Sequence, residues 1–113
     1  MGFMAAVVEK WNPHARVRQD LWGFGDVVAI KNRLWLIVQA CNATDLARRV
    51  KKIQQEPRAK RFLQEGGHIV VMGWRKRKKR KDGKLWTVTI REMKLNSRQE
   101  LVSSSSPSWS RCL

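Results

Sequence analysis

Asp26 and Gln39 stand at the two ends of an apolar frame, one opening the run Val27-Val-Ala-Ile30 and the other closing the run Leu34-Trp-Leu-Ile-Val38. Paired as antiparallel neighbours, these runs bring a carboxylate and an amide together at one end of a sheet, and oxygen donors of that kind suit a hard divalent cation. A second constellation is basic. Seven consecutive cations, Arg75, Lys76, Arg77, Lys78, Lys79, Arg80 and Lys81, are flanked by Trp74 and, beyond Asp82-Gly83, by Trp86. Lys and Arg side chains bind phosphates by releasing condensed counterions, so this run reads as a nucleic-acid-binding clamp that senses charge and shape rather than base sequence.

The composition of the whole chain points the same way. Its 113 residues hold 24 Lys and Arg against 9 Asp and Glu, a formal net charge of +15. Self-repulsion of this size is relieved by a polyanion, with nucleic acid the leading partner and an acidic membrane surface second. No apolar run approaches the roughly 18 residues of a membrane span, and residues 1–8 lack the basic start of a secretory signal. The expected location is therefore cytoplasmic, nucleoid-associated, or the host cytoplasm for a viral protein. Cys41 and Cys112 form no CxxC or Cys/His cluster, which argues against a disulfide framework or a structural zinc site. No phosphate-binding glycine loop is present either.

The elements that must position these groups follow from periodicity. Phe3 to Trp11 suits a short helix that stops at Asn12-Pro13, and residues 15–20 suit a first strand. The two apolar runs around Lys31-Asn-Arg33 make a tight hairpin of central strands. Residues 42–56 read as a helix capped by Asn42 or Thr44, with Ala43, Leu46, Ala47, Val50 and Ile53 as its apolar stripe. A second helical stretch runs from Pro57 to Glu65 and closes at Gly66-Gly67. Strands are expected at His68–Trp74 and Leu85–Ile90. If Asp82-Gly83 closed that hairpin at once, Arg75 and Arg77 would face the core, so residues 75–84 are expected to protrude as a basic loop or ribbon. The expected domain is 1–94, and the Ser-rich segment 95–113 reads as a disordered tail. The fold class is α/β, one mixed sheet flanked by helices.

With the frame in place, Gly25-Asp26 and Gln39-Ala40-Cys41 resemble the motif of the PD-(D/E)xK nuclease superfamily, most closely its archaeal and phage-type Holliday-junction resolvases. Gly25-Asp26 stands where the family has Pro-Asp, and the degenerate Gln39-x-Cys41 where it has Glu-x-Lys. The resemblance runs from Glu9 to Trp74 and implies a restriction-endonuclease-like αβββαβ core, with Glu9 as the glutamate of the first helix. It also implies a Mg²⁺- or Mn²⁺-dependent endonuclease that hydrolyses phosphodiester bonds in branched DNA, working as a homodimer. The implied metal ligands are Glu9, Asp26 and Gln39. Gln39 offers a carbonyl oxygen but one negative charge fewer than glutamate, and Cys41 cannot replace the charge of the motif lysine. Some relatives move that cation to the following helix, where Lys51 and Lys52 are the candidates. Lys51 flanks the apolar stripe and Lys52 points away from it, whereas the local Arg-Val-Lys-Lys-Ile pattern favours Lys52. Both stay open, as does a further carboxylate from Asp20 if the glycines after it fold the chain back. The alternative function is a non-catalytic nucleic-acid-binding module with a decayed site.

Overall fold

A computed structural model of the chain describes residues 2–78 and 84–104, with backbone alone at residues 77, 78, 84 and 85. The chain forms β1 (Met4–Val7), β2 (Lys10–Asn12), β3 (Val17–Gln19), β4 (Val27–Lys31) and β5 (Leu34–Asn42). A single 3-10 turn at Ala43–Asp45 leads into α1 (Leu46–Gln54) and α2 (Pro57–Gln64), then β6 (His68–Lys78), β7 (Lys84–Leu95) and β8 (Leu101–Ser104). Six strands make one sheet in the order β1-β4-β5-β6-β7-β8, and β2 and β3 form a separate ribbon. Among the described residues only β5 and β6 run parallel, joined by the helical crossover, so the α/β class with a mixed central sheet holds.

The β4–β5 hairpin forms as the sequence implies. Asn32 and Arg33 both take positive φ, 47° and 65°, in a two-residue turn whose twist matches the strands it joins. Helix α1 turns Leu46, Val50 and the fully buried Ile53 onto the sheet, where they meet Phe24, Ile37, Ile69 and Val71. Gly73 on β6 admits this crossover, because a Cβ there would lie 3.1 Å from the Cα of Ala43. Pro57 opens α2, and Glu56 caps it by accepting a hydrogen bond from the Arg58 N–H. The opposite sheet face buries Ala29, Leu36, Val38 and Val70.

Three expectations change and one is narrowed. The helix over Phe3–Trp11 is absent, since Met4–Val7 pairs with Val27–Ile30 and residues 10–12 enter the β2–β3 ribbon. Four residues of weak helical period gain little alone, and the open edge of β4 gives them a complete ladder. The expected αβββαβ core therefore lacks its first helix. Neither Asn42 nor Thr44 caps α1; Asn42 precedes the 3-10 turn without a side-chain capping bond, and Thr44 lies inside that turn. Of the expected loop or ribbon, residues 75–78 take the ribbon form, because Arg75 pairs with Thr87 and Lys78 with Lys84 and the hairpin continues outward as two strands. Arg75 and Lys76 are exposed there, which removes the burial penalty that a flush hairpin would carry. The sheet also passes the expected boundary at 94, since Leu101–Ser104 pairs with Glu92–Leu95. Lys79, Arg80, Lys81 and the tail from 105 to 113 lie outside the described residues. Among the described residues no helix is long and apolar enough to cross a membrane.

Candidate metal centre

Three short ladders meet at one corner of the sheet and bring acids together. The β1–β4 ladder continues one step past Val7, where the Val8 N–H donates to the Asp26 carbonyl at 2.9 Å. The β2–β3 ribbon pairs Lys10 with Gln19, so Glu9 and Asp20 are the next positions outward. Leu21 and Gly25 form an antiparallel bridge with hydrogen bonds of 2.8 and 2.9 Å, which sets Asp20 beside Asp26 as its flanking pair. Gly25 is required there because a Cβ would lie 2.8 Å from Ile37 Cγ2. As a result one carboxylate oxygen from each of Glu9, Asp20 and Asp26 lies within 4.8 Å of the others, a spacing that a divalent cation can bridge.

Asp26 is the centre of this group. Its Oδ2 accepts hydrogen bonds of 2.8 Å from the Ala40 N–H and 2.8 Å from Gln39 Nε2. Burial pushes the Asp26 carboxyl up to about 6; the Ala40 N–H opposes this, while a hydrogen bond with Asp20 and the charges of Asp20 and Glu9 reinforce it. Crowded carboxylates of this kind hold a proton until a cation replaces it. Glu9 has one further partner, accepting from Arg18 Nη1 at 3.1 Å, and since Arg18 is largely exposed the pair is a weak competitor for a cation.

Gln39 differs from the expected ligand. It is 2% exposed and presents its nitrogen to Asp26, while its buried Oε1 has no hydrogen-bond partner among the described residues. Rotating the amide by half a turn would point the oxygen at Asp26, an arrangement that only a cation or a proton between them can hold. The residues present therefore fit a divalent cation held by Glu9, Asp20 and Asp26, with the Gln39 amide adjustable beside it.

The cations around the site are ordered differently from the wheel read off the sequence. Ala47 is exposed and Arg49 is partly buried, so the buried stripe of α1 runs Leu46, Arg49, Val50 and Ile53. That rotation turns Lys51 away from the sheet and brings Lys52 to the flank, where it lines a cavity with Asp20 and Arg18. Arg49 is the residue the sequence reading missed. Its guanidinium acts on Cys41, whose thiol is pushed up by burial and drawn back by the Arg49 charge. Its position three residues after Leu46 and four before Ile53 was the available signal. On the ribbon, Arg75 and Lys76 are exposed, and Lys76 Nζ stands 5.3 Å over the Trp86 ring. The chain matches no protein-family model, no curated protein and no solved structure.

Proposed function

We propose that the chain is a metal-dependent endonuclease acting on DNA, with Glu9, Asp20 and Asp26 as the cation ligands. One observation carries this reading: in a chain of net charge +15 with only 9 acids, three converge within 4.8 Å beside a buried amide. A solvated acidic patch has no reason to form at the junction of three ladders, where each carboxylate raises the energy of the others. Mg²⁺ or Mn²⁺ held there supplies charge neutralisation at a scissile phosphate and an acidified water.

The chain's own groups then divide the work. Asp26 gives up its proton as the cation arrives, and the Ala40 N–H keeps the resulting carboxylate in place. Arg49 and Lys52 take the part of the absent motif lysine, donating to phosphoryl oxygens as negative charge builds on them. The basic ribbon holds the backbone, which suits branched DNA approached as a dimer that cuts two strands. The resemblance to Holliday-junction resolvases supports this choice of substrate, although the first helix of that family is missing.

A second reading has its own support, because Gln39 donates to Asp26 and Cys41 carries no charge: a binding module on the same frame. Cleavage of a labelled four-way junction, duplex and single strand with Mg²⁺ or Mn²⁺, against Asp26→Ala, separates the two. Metal-dependent products that vanish in the variant support the nuclease; undiminished binding with no products in either protein supports the module.

A further inference from the structure

β4 gives out at Val27, so from Gln39 onward β5 pairs with β6 alone and a notch opens at its carboxyl end. Ala40 and Asn42 on β5, Arg49 on α1, Trp74 and Trp86 on the ribbon, and Asp45, which is paired with Arg48 at 3.2 Å, are among the residues that line a shallow cavity of about 640 Å³ there. Trp74 pairs with Val88 and Lys76 with Trp86, so the two indoles are diagonal neighbours on one face of the ribbon. They are 39% and 55% exposed, well above what such large apolar groups keep when a fold has a use for them inside.

From this juxtaposition we infer that the Trp74–Trp86 cavity is a stacking slot for an unpaired nucleobase. The inference rests on the nucleic-acid reading above and adds the substrate class, a strand with unstacked bases rather than an intact duplex. Indole faces bind any base by stacking, which pairs naturally with backbone contacts that read no sequence. Three observations favour this occupant over a second copy of the chain. Lys76 shares the face of the two indoles and exposed Arg75 lies beside it on the same strand, so two copies of this ribbon face would set like charges against one another, whereas a polyanion is drawn in. Lys76 over Trp86 fixes that ring at the cavity wall. Arg49 brings a guanidinium to the slot's border, and among the described residues its buried Nε has no hydrogen-bond partner. The slot also begins one residue past Gln39, and Ala40 serves both places, lining the slot while its N–H holds Asp26. At about 3.3 Å of rise per residue, Asn42 lies about 10 Å along β5 from Gln39, the neighbour of Asp26.

The test is binding in EDTA by fluorescence anisotropy, so cleavage plays no part. The probes are a thymidine oligomer of about 20 residues, a uridine oligomer, an abasic oligomer of equal charge and a duplex, against wild type, Trp74→Leu and Trp86→Leu. Wild type should bind the base-bearing single strands more tightly than the abasic one, and each variant should lose about 10-fold for them while abasic and duplex affinities stay unchanged. The tighter of the thymidine and uridine probes names the polymer. Equal affinity of wild type for the base-bearing and abasic strands overturns the slot and leaves the nucleic-acid reading standing. No binding to any probe overturns both. If the variants instead dissociate a dimer while thymidine affinity is unchanged, the face belongs to a second copy and the slot falls. Both tryptophans are exposed, so unchanged circular dichroism and melting temperature are expected of both variants.

Discussion

Asp26→Asn isolates what the carboxylate costs the fold and what it supplies to a cation. The side chain keeps an oxygen for the Ala40 N–H and Gln39 Nε2, and its new amide turns to Asp20 and Glu9. In the wild type the Asp26 carboxyl moves from 3.8 to about 6 on folding, mainly through burial. That interval corresponds to a ceiling of about 3 kcal/mol, and because the group is only partly buried, solvent screening brings it to roughly 1–2 kcal/mol. The sign is opposite to that of a salt-bridged acid. Below the unfolded value both states hold the proton and the site costs nothing; as pH rises toward 6 the unfolded chain ionises first and stability falls, and above 6 the full cost is present.

Thermal unfolding in EDTA reads this directly as the difference between variant and wild type, which cancels the pH response of the rest of the chain. Asp26→Asn should melt at about the wild-type temperature near pH ~4 and above it near pH ~8, by roughly 4–10 °C for a domain of this size. Adding Mg²⁺ or Mn²⁺ at pH ~8 should raise the wild type by mass action and leave the variant unmoved, closing the gap. A variant less stable than wild type near pH ~8 in EDTA, or a difference that ignores pH, would refute the reasoning, since the carboxylate would then be held by its donors rather than strained by its neighbours.

Gln39→Glu places a fourth carboxylate in the cluster, so it should destabilise the EDTA form by about 2–4 kcal/mol and bind Mn²⁺ more tightly in calorimetry. Arg49→Met and Lys52→Met should each lower cleavage by roughly 10–100-fold with DNA affinity reduced only modestly, whereas Lys51→Met should act as the loss of one surface charge in the same assay. Cys41→Lys combined with Arg49→Met should recover part of the activity if Arg49 stands in for the motif lysine. Changing Arg75 and Lys76 together to Ala should flatten the slope of log affinity against log salt by roughly 0.9 for each phosphate contact removed, as measured with duplex DNA.

What the sequence disclosed was local. The β4–β5 hairpin, α2 with Pro57 at its start, and the pairing of Asp26 with Gln39 each depend on residues close in the chain, and each is present. The N-terminal segment was misread because Met4–Val7 takes its conformation from β4, a partner about twenty residues away that no periodicity announces. The same holds for Leu101–Ser104, whose serines suggest a solvated tail until the edge of β7 recruits them. Arg49 escapes the pattern because charge counts against a place in a buried stripe, although the residue is partly buried and reaches the cavity at the end of β5. Asp20 is legible on the one condition that the glycines after it fold the chain back, and Leu21 and Gly25 bracket such a turn with Gly23 at φ 80°.

The acid cluster and the excess of cations explain each other once the free protein is considered alone. Arg18 bonds Glu9, and Lys52 lines a cavity with Asp20, so an approaching divalent cation meets like charges at close range, where salt screens little. Those same cations attract phosphate. On the proposed function, a nucleic-acid backbone that engages Arg18, Lys52 and Arg49 removes the repulsion and adds oxygen donors of its own, so metal and DNA strengthen one another's binding by an equal factor. Before either arrives, the remaining way to relieve the crowding is the proton that Asp26 retains to about 6, hydrogen-bonded to Asp20. The raised carboxyl, the unpartnered Gln39 oxygen and the unpartnered Arg49 nitrogen are then three signs of one condition. On the proposed function, each is a polar group positioned for a charge that the cation or the nucleic acid brings.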